Sequence, residues 1–95
     1  MKSQPLTSNQ ITIELEQLKE WNLVGKEISK TFVHKDFVQA IGFVNSVAIL
    51  AEKNDHHPDI DIRWNKVTLT LSTHSAGGLT EKDISLAKEI ESLVN

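Results

Sequence analysis

Apolar and polar residues follow one another along this chain with two different periods, one typical of helices and the other of strands. Near the N-terminus, apolar residues recur at helical spacing between Ile11 and Leu18. This pattern predicts a helix that begins after Ser8 or Asn9, either of which could cap it, and ends near Glu20.

A second helical pattern occupies the segment from Lys35 to about Lys53, and Asp36 suits the first turn of that helix. Its apolar residues surround the helix instead of forming one stripe: Phe37, Val38, Ala40, Ile41, Phe43, Val44, Val47, Ala48, Ile49, Leu50 and Ala51. A helix that is apolar nearly all round is buried on more than one side. The second side either faces another subunit, which is the interpretation we favour, or is enclosed at the centre of the monomer.

The last helical pattern follows Gly77-Gly78, a flexible break in the chain. Thr80 with Asp83 three residues later resembles an N-terminal capping arrangement. The apolar face of this helix consists of Ile84, Ala87, Ile90 and Leu93 or Val94.

Two pairs of extended segments predict two antiparallel hairpins. Asn22–Val24 and Glu27–Val33 are separated by Gly25-Lys26, which suits a tight turn. In Asp59–Ser72 the residues alternate between apolar and polar on both sides of Asn65-Lys66, and Asn tolerates the backbone angles of a turn. This second alternation predicts a hairpin whose turn consists of those two residues.

The apolar face of the second hairpin predicts its register. Pairing across Asn65-Lys66 makes every inward pair apolar: Trp64 with Val67, Ile62 with Leu69, and Ile60 with Leu71. Trp64 is therefore expected to pack in the core. The other face of the sheet would be polar, with Asp61, Arg63, Thr68, Thr70 and Ser72. The same register continued outward places His57 opposite His74.

Ninety-five residues are enough for one domain, spanning positions 1–95. The element order is α-β-β-α-β-β-α, and hairpins without parallel crossovers indicate an α+β fold. We therefore expect a single two-layer domain in which three helices cover one face of a four-stranded antiparallel sheet.

Composition excludes several classes of function. The net charge is −3 and the lysines are scattered, so the basic stripe of a nucleic-acid-binding protein is absent. Neither a signal-peptide core nor an apolar run of membrane-spanning length occurs, which predicts a cytoplasmic protein that does not bind membranes. The chain has no cysteine, which excludes disulfides and thiolate chemistry.

Three of the four histidines fall in two short stretches that the predicted hairpin brings together, Asp55-His56-His57-Pro58 and Ser72-Thr73-His74. Imidazole exchanges protons near neutral pH, so a cluster of histidines suggests proton-transfer chemistry or a metal site. A helix C-terminus and the nearby carboxylates of Glu52 and Asp55 favour protonated imidazole. Asp83, at the start of the last helix, could orient one ring. His34 stands apart and is predicted to lie at the surface.

A zinc site competes with the proton-transfer hypothesis, because three histidines and a water molecule form a catalytic zinc arrangement. His56 and His57 are adjacent, however, and on one regular backbone element they would point to different sides. They could not easily share one ion. The spacing therefore favours a site without metal, and metal analysis of the purified protein would distinguish the two.

The spacing of these residues resembles the signature of the pterin-4a-carbinolamine dehydratase family. That signature is an acid, three residues, His-His-Pro, an aromatic residue shortly afterwards, a histidine ten residues beyond it, and a following aspartate. Here it is matched by Glu52, His56-His57-Pro58, Trp64, His74 and Asp83. The similarity extends from about Ile28 to the C-terminus.

The resemblance implies dehydration of a 4a-hydroxytetrahydropterin to a quinonoid dihydropterin, without metal or organic cofactor. It implies three active-site histidines, His56, His57 and His74, of which we assign His56 and His74 as the acid/base pair and His57 to substrate binding. The resemblance also implies that the pterin lies near Glu52, Asp55, Ser72 and Thr73, and we add Asp83 to these. Members of the family are dimers or tetramers with sheets joined across subunits and long helices bundled.

Two positions depart from the pattern of animal members, which often have an aromatic residue where this chain has Ile60 and an acid where it has Ser75. Both changes could alter the preference for the pterin side chain.

Relatives also suggest non-catalytic alternatives, namely a dimerisation cofactor of a homeodomain transcription factor, or a pterin-binding protein of molybdopterin metabolism. A scaffold does not need three histidines, and their presence favours an enzyme.

Overall fold

Three helices and four strands follow one another in the order α-β-β-α-β-β-α in the computed structural model, which describes residues 4–94. The elements are α1 (Ser8–Glu16), β1 (Asn22–Val24), β2 (Glu27–Val33), α2 (Phe37–Asn54), β3 (Asp59–Arg63), β4 (Lys66–Leu71) and α3 (Glu81–Ser92). The strands form one antiparallel sheet in the order β1-β2-β4-β3, with the helices on one face. The expected fold class and element order are confirmed. None of the helices within residues 4–94 has the length and apolar character needed to span a membrane.

The core lies between the sheet and the two longer helices. The sheet contributes Ile28, Phe32, Val67, Leu69 and Leu71, and the helices contribute Phe43, Val47, Ile84, Leu86 and Ile90. Each fully buried aliphatic side chain stabilises the fold by roughly 1.5–3 kcal/mol. Lys30 lies on the same face of β2, and its ammonium group is paired with the Glu91 carboxylate, which also accepts a hydrogen bond from Trp21 Nε1 at 2.8 Å.

The first hairpin is confirmed in its strand bounds and its turn, but the first helix differs from the prediction at both ends. Thr7 caps the helix in place of Ser8 or Asn9, because Thr7 and Gln10 form a reciprocal capping box. The helix also ends earlier than predicted, at Glu16. Glu20 has a φ of +67°, which is incompatible with a helix, and the chain turns there towards β1.

The predicted register of the second hairpin is wrong by two positions. Ile60 pairs with Leu69 and Ile62 with Val67, so the turn consists of Trp64 and Asn65 instead of Asn65 and Lys66. A shift of two residues leaves the same side chains on the same face, which is why the apolar pattern fits both registers. The polar pairs shift as well: Asp61 faces Thr68, and Asp59 faces Thr70.

Contacts with the end of β2 explain where this turn forms. The His34 backbone N–H donates to Asn65 O over 2.7 Å, and Asn65 Nδ2 donates to His34 O over 2.9 Å. Asn65 is thereby held at the second position of the turn, and Trp64 takes the first with a φ of +50°.

The predictions for Trp64 and His34 are both wrong. Trp64 is 65% exposed, because its left-handed backbone conformation turns it out of the strand. His34 is half-buried, and its ring packs on Phe43 at a centroid distance of 4.7 Å. The hydrogen bonds to Asn65 hold His34 against the core.

The long helix α2 begins two residues later than predicted, because Asp36 is its cap and accepts a hydrogen bond from Gln39 N at 2.9 Å. One side of α2 faces the core through Ala40, Phe43, Val47 and Ala51. The other side is uncovered, with Phe37 51%, Val38 80% and Ile49 70% exposed. The alternative in which this chain encloses the helix is therefore wrong, and burial against another subunit stays a prediction.

Helix α3 begins as predicted, with Thr80 and Asp83 forming the capping box. Its apolar face ends at Ile90, however, since Leu93 and Val94 follow the last helical turn and are 40% and 45% exposed.

Candidate active site

The C-terminal end of α2 fixes the position of His56. Asp55 has a φ of +49°, and it ends the helix in a Schellman motif in which His56 N donates to Ala51 O at 3.1 Å and Asp55 N to Glu52 O at 3.2 Å. Aspartate is among the few residues other than glycine that adopt this conformation readily. Asn54 ties the same end of α2 to α3, since its Nδ2 donates to Glu89 Oε2 at 2.7 Å.

A buried carboxylate meets the His56 ring. Asp83 is completely buried, and its Oδ1 lies 2.5 Å from Nε2 of His56, whose side chain is 11% exposed. The other oxygen, Oδ2, accepts hydrogen bonds from Thr73 Oγ1 at 2.7 Å and from Thr80 N at 2.9 Å. An ionised carboxylate can only accept hydrogen bonds, so Nε2 of His56 carries the proton in this contact. Three donors therefore hold Asp83, and Asp83 fixes the orientation and tautomer of His56.

The hydrogen bonds around Asp83 have one consistent direction. Thr73 donates its only hydroxyl proton to Asp83 Oδ2, and the contact of 2.9 Å between the Thr73 and Thr80 hydroxyls must then have Thr80 as donor. Thr80 Oγ1 in turn accepts from Lys82 N at 3.2 Å. The residues His56, Thr73, Thr80 and Asp83 thus form one buried network, called the Asp83 network below.

His57 points away from this network. Its Nε2 lies 3.0 Å from Glu52 Oε1, and the two side chains are 56% and 80% exposed. Pro58 follows and favours an extended backbone at His57, so consecutive rings lie on different sides of the chain. Within residues 4–94 no group of three or more His, Cys, Asp or Glu side chains is arranged to hold a metal ion.

His74 directly follows Thr73 in the chain, but its side chain is not part of the Asp83 network. It is exposed and begins a single 3₁₀ turn, His74–Ala76. Thr73 and Gly78 pair at the base of this loop, with hydrogen bonds of 3.1 Å and 3.3 Å between their backbone groups. Gly77 closes the turn with a φ of +77°, a conformation that glycine adopts at no steric cost.

A cleft of about 420 Å³ lies beside His74, between the β1–β2 turn and the loop 72–78. We call it the His74 cleft. Ser72, Thr73 and His74 line one wall, and neither His56 nor His57 is part of the lining.

The expected site residues therefore fall into neighbouring groups at one end of β4. His56, Thr73 and Asp83 belong to the Asp83 network, whereas Ser72 and His74 face the His74 cleft. Glu52 and His57 form the exposed pair, and Asp55 is exposed at the end of the helix. The observed register, continued outward from Asp59 and Thr70, brings His57 towards Ser72 and not towards His74 as predicted.

Two parts of this region were not anticipated as site components from the sequence. Thr80 was recognised only as a helix cap, although the capping box with Asp83 is the signal that places its hydroxyl beside the same carboxylate. The β1–β2 turn was recognised only as a turn. Its position beside His74 follows from the pairing of β2 with β4, which the local pattern does not indicate.

Comparison with known proteins identifies relatives along nearly the whole chain. Residues 4–93 match the family model described as "Pterin 4 alpha carbinolamine dehydratase". A Nocardia farcinica protein named "Putative pterin-4-alpha-carbinolamine dehydratase" is 52% identical over 93 residues, covering 98% of each chain. A protein of the same name from Roseiflexus sp. (strain RS-1) is 53% identical over 89 residues, covering 94% of this chain and 96% of the relative.

The solved structures that are similar to this fold include the following two. One is described as a transcriptional coactivator/pterin dehydratase from Brucella melitensis, with a TM-score of 0.92 and 38% identity over 96% of this chain and 99% of the other. The second is described as a pterin dehydratase-like protein that is a RuBisCO assembly factor in the alpha-carboxysome. It has a TM-score of 0.68 and 25% identity over 80% of this chain and 90% of the other. From the signature residues, the fold and the match over residues 4–93, the chain belongs to the pterin-4-alpha-carbinolamine dehydratase family.

Proposed function

We propose that this protein dehydrates 4a-hydroxytetrahydropterins to quinonoid dihydropterins in tetrahydropterin recycling. The observation that carries this proposal is the pairing of His56 with a fully buried carboxylate that three donors hold in place. A buried, hydrogen-bonded carboxylate that orients an imidazole is an arrangement that general acid–base catalysis uses. Membership of the family supports the choice of substrate.

The reaction needs one proton donor and one proton acceptor. The bond between C4a and its hydroxyl breaks, and the hydroxyl leaves as water after it receives a proton. The proton on N5 is released, and the electron pair of the N5–H bond forms the N5=C4a double bond. Acid and base groups held within reach of the two positions each accelerate such a step by roughly 10²–10⁴-fold.

We assign His56 and His74 as the acid/base pair. Because Asp83 holds the proton on Nε2 of His56, the nitrogen that exchanges a proton with the substrate is Nδ1. Within residues 4–94, Nδ1 makes no hydrogen bond and is not among the fully buried unpaired atoms, which leaves it free for the substrate in this proposal. His74 is exposed at the neighbouring strand end.

The remaining site residues bind the substrate in this proposal. His57, together with Glu52 and the exposed Asp55, holds the pterin from the exposed side, and Ser72 and Thr73 line the pocket. Asp83 is expected from the sequence among the pterin-binding residues, but its side chain is completely buried, and in this proposal it acts through His56 and Thr73 instead of touching the pterin. The proposed mechanism uses no metal and no organic cofactor.

We expect stopped-flow absorbance to show faster decay of a 4a-carbinolamine with the protein than without it. The matched control is the double variant His56→Ala/His74→Ala, which keeps the remaining imidazoles, so that general buffering by histidine is subtracted. Circular dichroism checks that it stays folded, because the loss of His56 takes one donor from the buried Asp83 carboxylate. The acceleration should survive dialysis against a chelator. A decay rate equal to that of the double variant would contradict the proposal and leave only a binding role.

A homo-oligomer is also proposed, and the uncovered side of α2 supports it. Val38 and Ile49 are 80% and 70% exposed on a helix whose other side is in the core. Exposed apolar surface of this kind marks interaction sites on many proteins. The same surface could bind a different protein, a role suggested by the names of the Brucella and carboxysome relatives.

Light scattering coupled to size exclusion is expected to give the mass of a dimer or a tetramer for the wild-type protein. Ile49→Glu should lower that mass, because a buried unpaired carboxylate at the subunit contact is costly. Ile13→Glu is the control, since Ile13 is 58% exposed on α1, away from α2. A wild-type monomer, or an unchanged mass for Ile49→Glu, would contradict this assembly.

A further inference from the structure

The hydroxyl group of Thr80 makes more contacts than a helix cap needs. The side chain is completely buried at the start of α3, where its Oγ1 accepts from Lys82 N at 3.2 Å and lies 2.9 Å from Thr73 Oγ1. The cap of α1 is simpler. Thr7 accepts from Gln10 N at 3.2 Å, but it is exposed, and within residues 4–94 its hydroxyl contacts no second hydroxyl group. A cap needs only an acceptor, so the burial of Thr80 and its contact with Thr73 indicate a further role.

The proton of the Thr80 hydroxyl has one available acceptor among residues 4–94. Its oxygen contacts Thr73 Oγ1 and the backbone N–H group of Lys82, and an N–H group cannot accept. If Thr73 donated to Thr80 instead, the Thr80 proton would be buried without a partner. Thr73 would then also face Asp83 Oδ2, at 2.7 Å, without a proton between the two oxygens. Because buried polar groups without partners are costly, the protons are ordered from Thr80 to Thr73 to Asp83.

This order of donors leaves one oxygen of Asp83 for His56. Oδ2 already accepts from Thr73 Oγ1 and, at 2.9 Å, from Thr80 N. Nε2 of His56 is therefore directed at Oδ1. A hydroxyl group that accepts a hydrogen bond becomes a better donor, because the bonds of a chain polarise one another. The Thr80 hydroxyl thereby strengthens the bond from Thr73 to the carboxylate that fixes the tautomer of His56.

The same hydroxyl group also holds the base of the loop that carries His74. Thr73 pairs with Gly78 at this base, and His74 is the next residue in the chain. The contact between Thr73 and Thr80 attaches the base to the start of α3, where Asp83 lies. One buried hydrogen bond therefore joins the supports of both histidines that we assign to proton transfer.

We propose that Thr80 is a positioning residue of the reaction. Its hydroxyl proton directs Thr73 towards Asp83, which keeps the proton of His56 on Nε2 and leaves Nδ1 for the substrate. The same contact fixes the base of the loop that carries His74. Thr80 does not line the His74 cleft, and it acts through its neighbours without touching the pterin. This inference rests on the proposed dehydratase function and adds to it a residue outside the sequence signature.

The test compares Thr80→Val, which removes the hydroxyl group at nearly constant shape, with Thr80→Ser, which keeps it. Thr80→Val should lower kcat by roughly 3–10-fold, the range for loss of one hydrogen bond between uncharged groups. KM should stay within about twofold of wild type, because Thr80 does not touch the substrate. Thr80→Ser should keep kcat within about twofold of wild type. The ¹⁵N chemical shifts of the His56 ring should move towards a mixture of the two tautomers in Thr80→Val but not in Thr80→Ser.

Thr7→Val is the matched control, since it removes the capping hydroxyl group of α1. It should lower the urea midpoint but leave kcat and the His56 shifts unchanged, because loss of a helix cap affects only stability there. Neutron diffraction from wild-type crystals exchanged into heavy water gives a second test, which needs no variant. It should show the deuterium between the two threonine oxygens bound to Oγ1 of Thr80.

Wild-type kcat or unchanged His56 shifts in Thr80→Val would overturn the role of Thr80. An equal loss of kcat in Thr80→Ser or in Thr7→Val would do the same, since packing or stability would then be the cause. A deuterium bound to Thr73 and directed at Thr80 would contradict the order of donors. The ¹⁵N shifts and the neutron map require no turnover. Absence of dehydratase activity in the wild type would therefore refute the proposed function, while these two measurements still decide whether Thr80 orients His56.

Discussion

Replacing Asp83 with asparagine is expected to remove most dehydratase activity and to lower the free energy of unfolding by about 1–3 kcal/mol. The loss of stability follows from the burial of this side chain, whose carboxylate is completely shielded and satisfies three donors. Asparagine has the same shape but only one acceptor oxygen. That oxygen can serve Thr73 and the backbone of Thr80, and the amide NH₂ group is then directed at His56.

The loss of activity follows from the proton on His56. An amide NH₂ group cannot accept the hydrogen that Nε2 now carries, so His56 must shift its proton to Nδ1 or turn its ring. Either change removes Nδ1 as the nitrogen that serves the substrate. We expect kcat to fall by roughly 10²–10⁴-fold, the range for loss of one acid–base group.

Urea unfolding and stopped-flow rates measure the two effects on the same samples. Glu81→Gln is the matched control, because Glu81 is an exposed acid in the first turn of the same helix and should change neither quantity appreciably. The ¹⁵N chemical shifts of the His56 ring report which nitrogen carries the proton. They therefore show whether Asp83 orients His56 or only stabilises the fold. Wild-type turnover in Asp83→Asn, or an unchanged His56 tautomer in it, would contradict the proposed role.

The fold could be predicted in type and order because each element has a local signal, whereas the register of the second hairpin could not. The apolar face has a period of two residues, so two registers that differ by two positions place the same strand side chains on the same face. Tertiary contacts decide between them. The hydrogen bonds between His34 and Asn65 join residues 31 positions apart, and no property of either residue alone indicates them. The wrong predictions for Trp64 and His34 follow from this missing contact.

The candidate site shows the same division between local and tertiary information. The capping box of Thr80 and Asp83 is visible in the sequence, and so is the abrupt end of α2 before His56. The packing of α2 on α3 brings those two signals together, with Asn54 and Glu89 in contact. Local patterns therefore predict which residues carry polar chemistry, but the partner of each histidine requires the packed structure. Asp83 was expected to meet one ring, and the structure identifies that ring as His56.

His74→Ala is expected to lose most of the dehydratase activity while the protein stays folded. His74 is exposed, and its hydrogen bond within the loop uses the backbone carbonyl, which accepts from Gly77 N at 3.0 Å. Alanine keeps that bond, so the free energy of unfolding should change by less than about 0.5 kcal/mol. Removal of the imidazole takes away one of the two proton-transfer groups, which should lower kcat by roughly 10²–10⁴-fold.

Ser75→Ala is the control for this variant, because Ser75 is the next residue in the same exposed 3₁₀ turn and has no role in the proposed mechanism. It should retain wild-type turnover and stability. The double variant with His56→Ala shows whether the two histidines act together on one substrate molecule or independently of each other. If both histidines act on one substrate molecule, the second substitution should cost much less than it does alone, since residues that act as a unit are strongly non-additive. Unchanged turnover in His74→Ala would instead assign proton transfer to His56 and His57, and it would remove the reason to place the reacting atoms beside the His74 cleft.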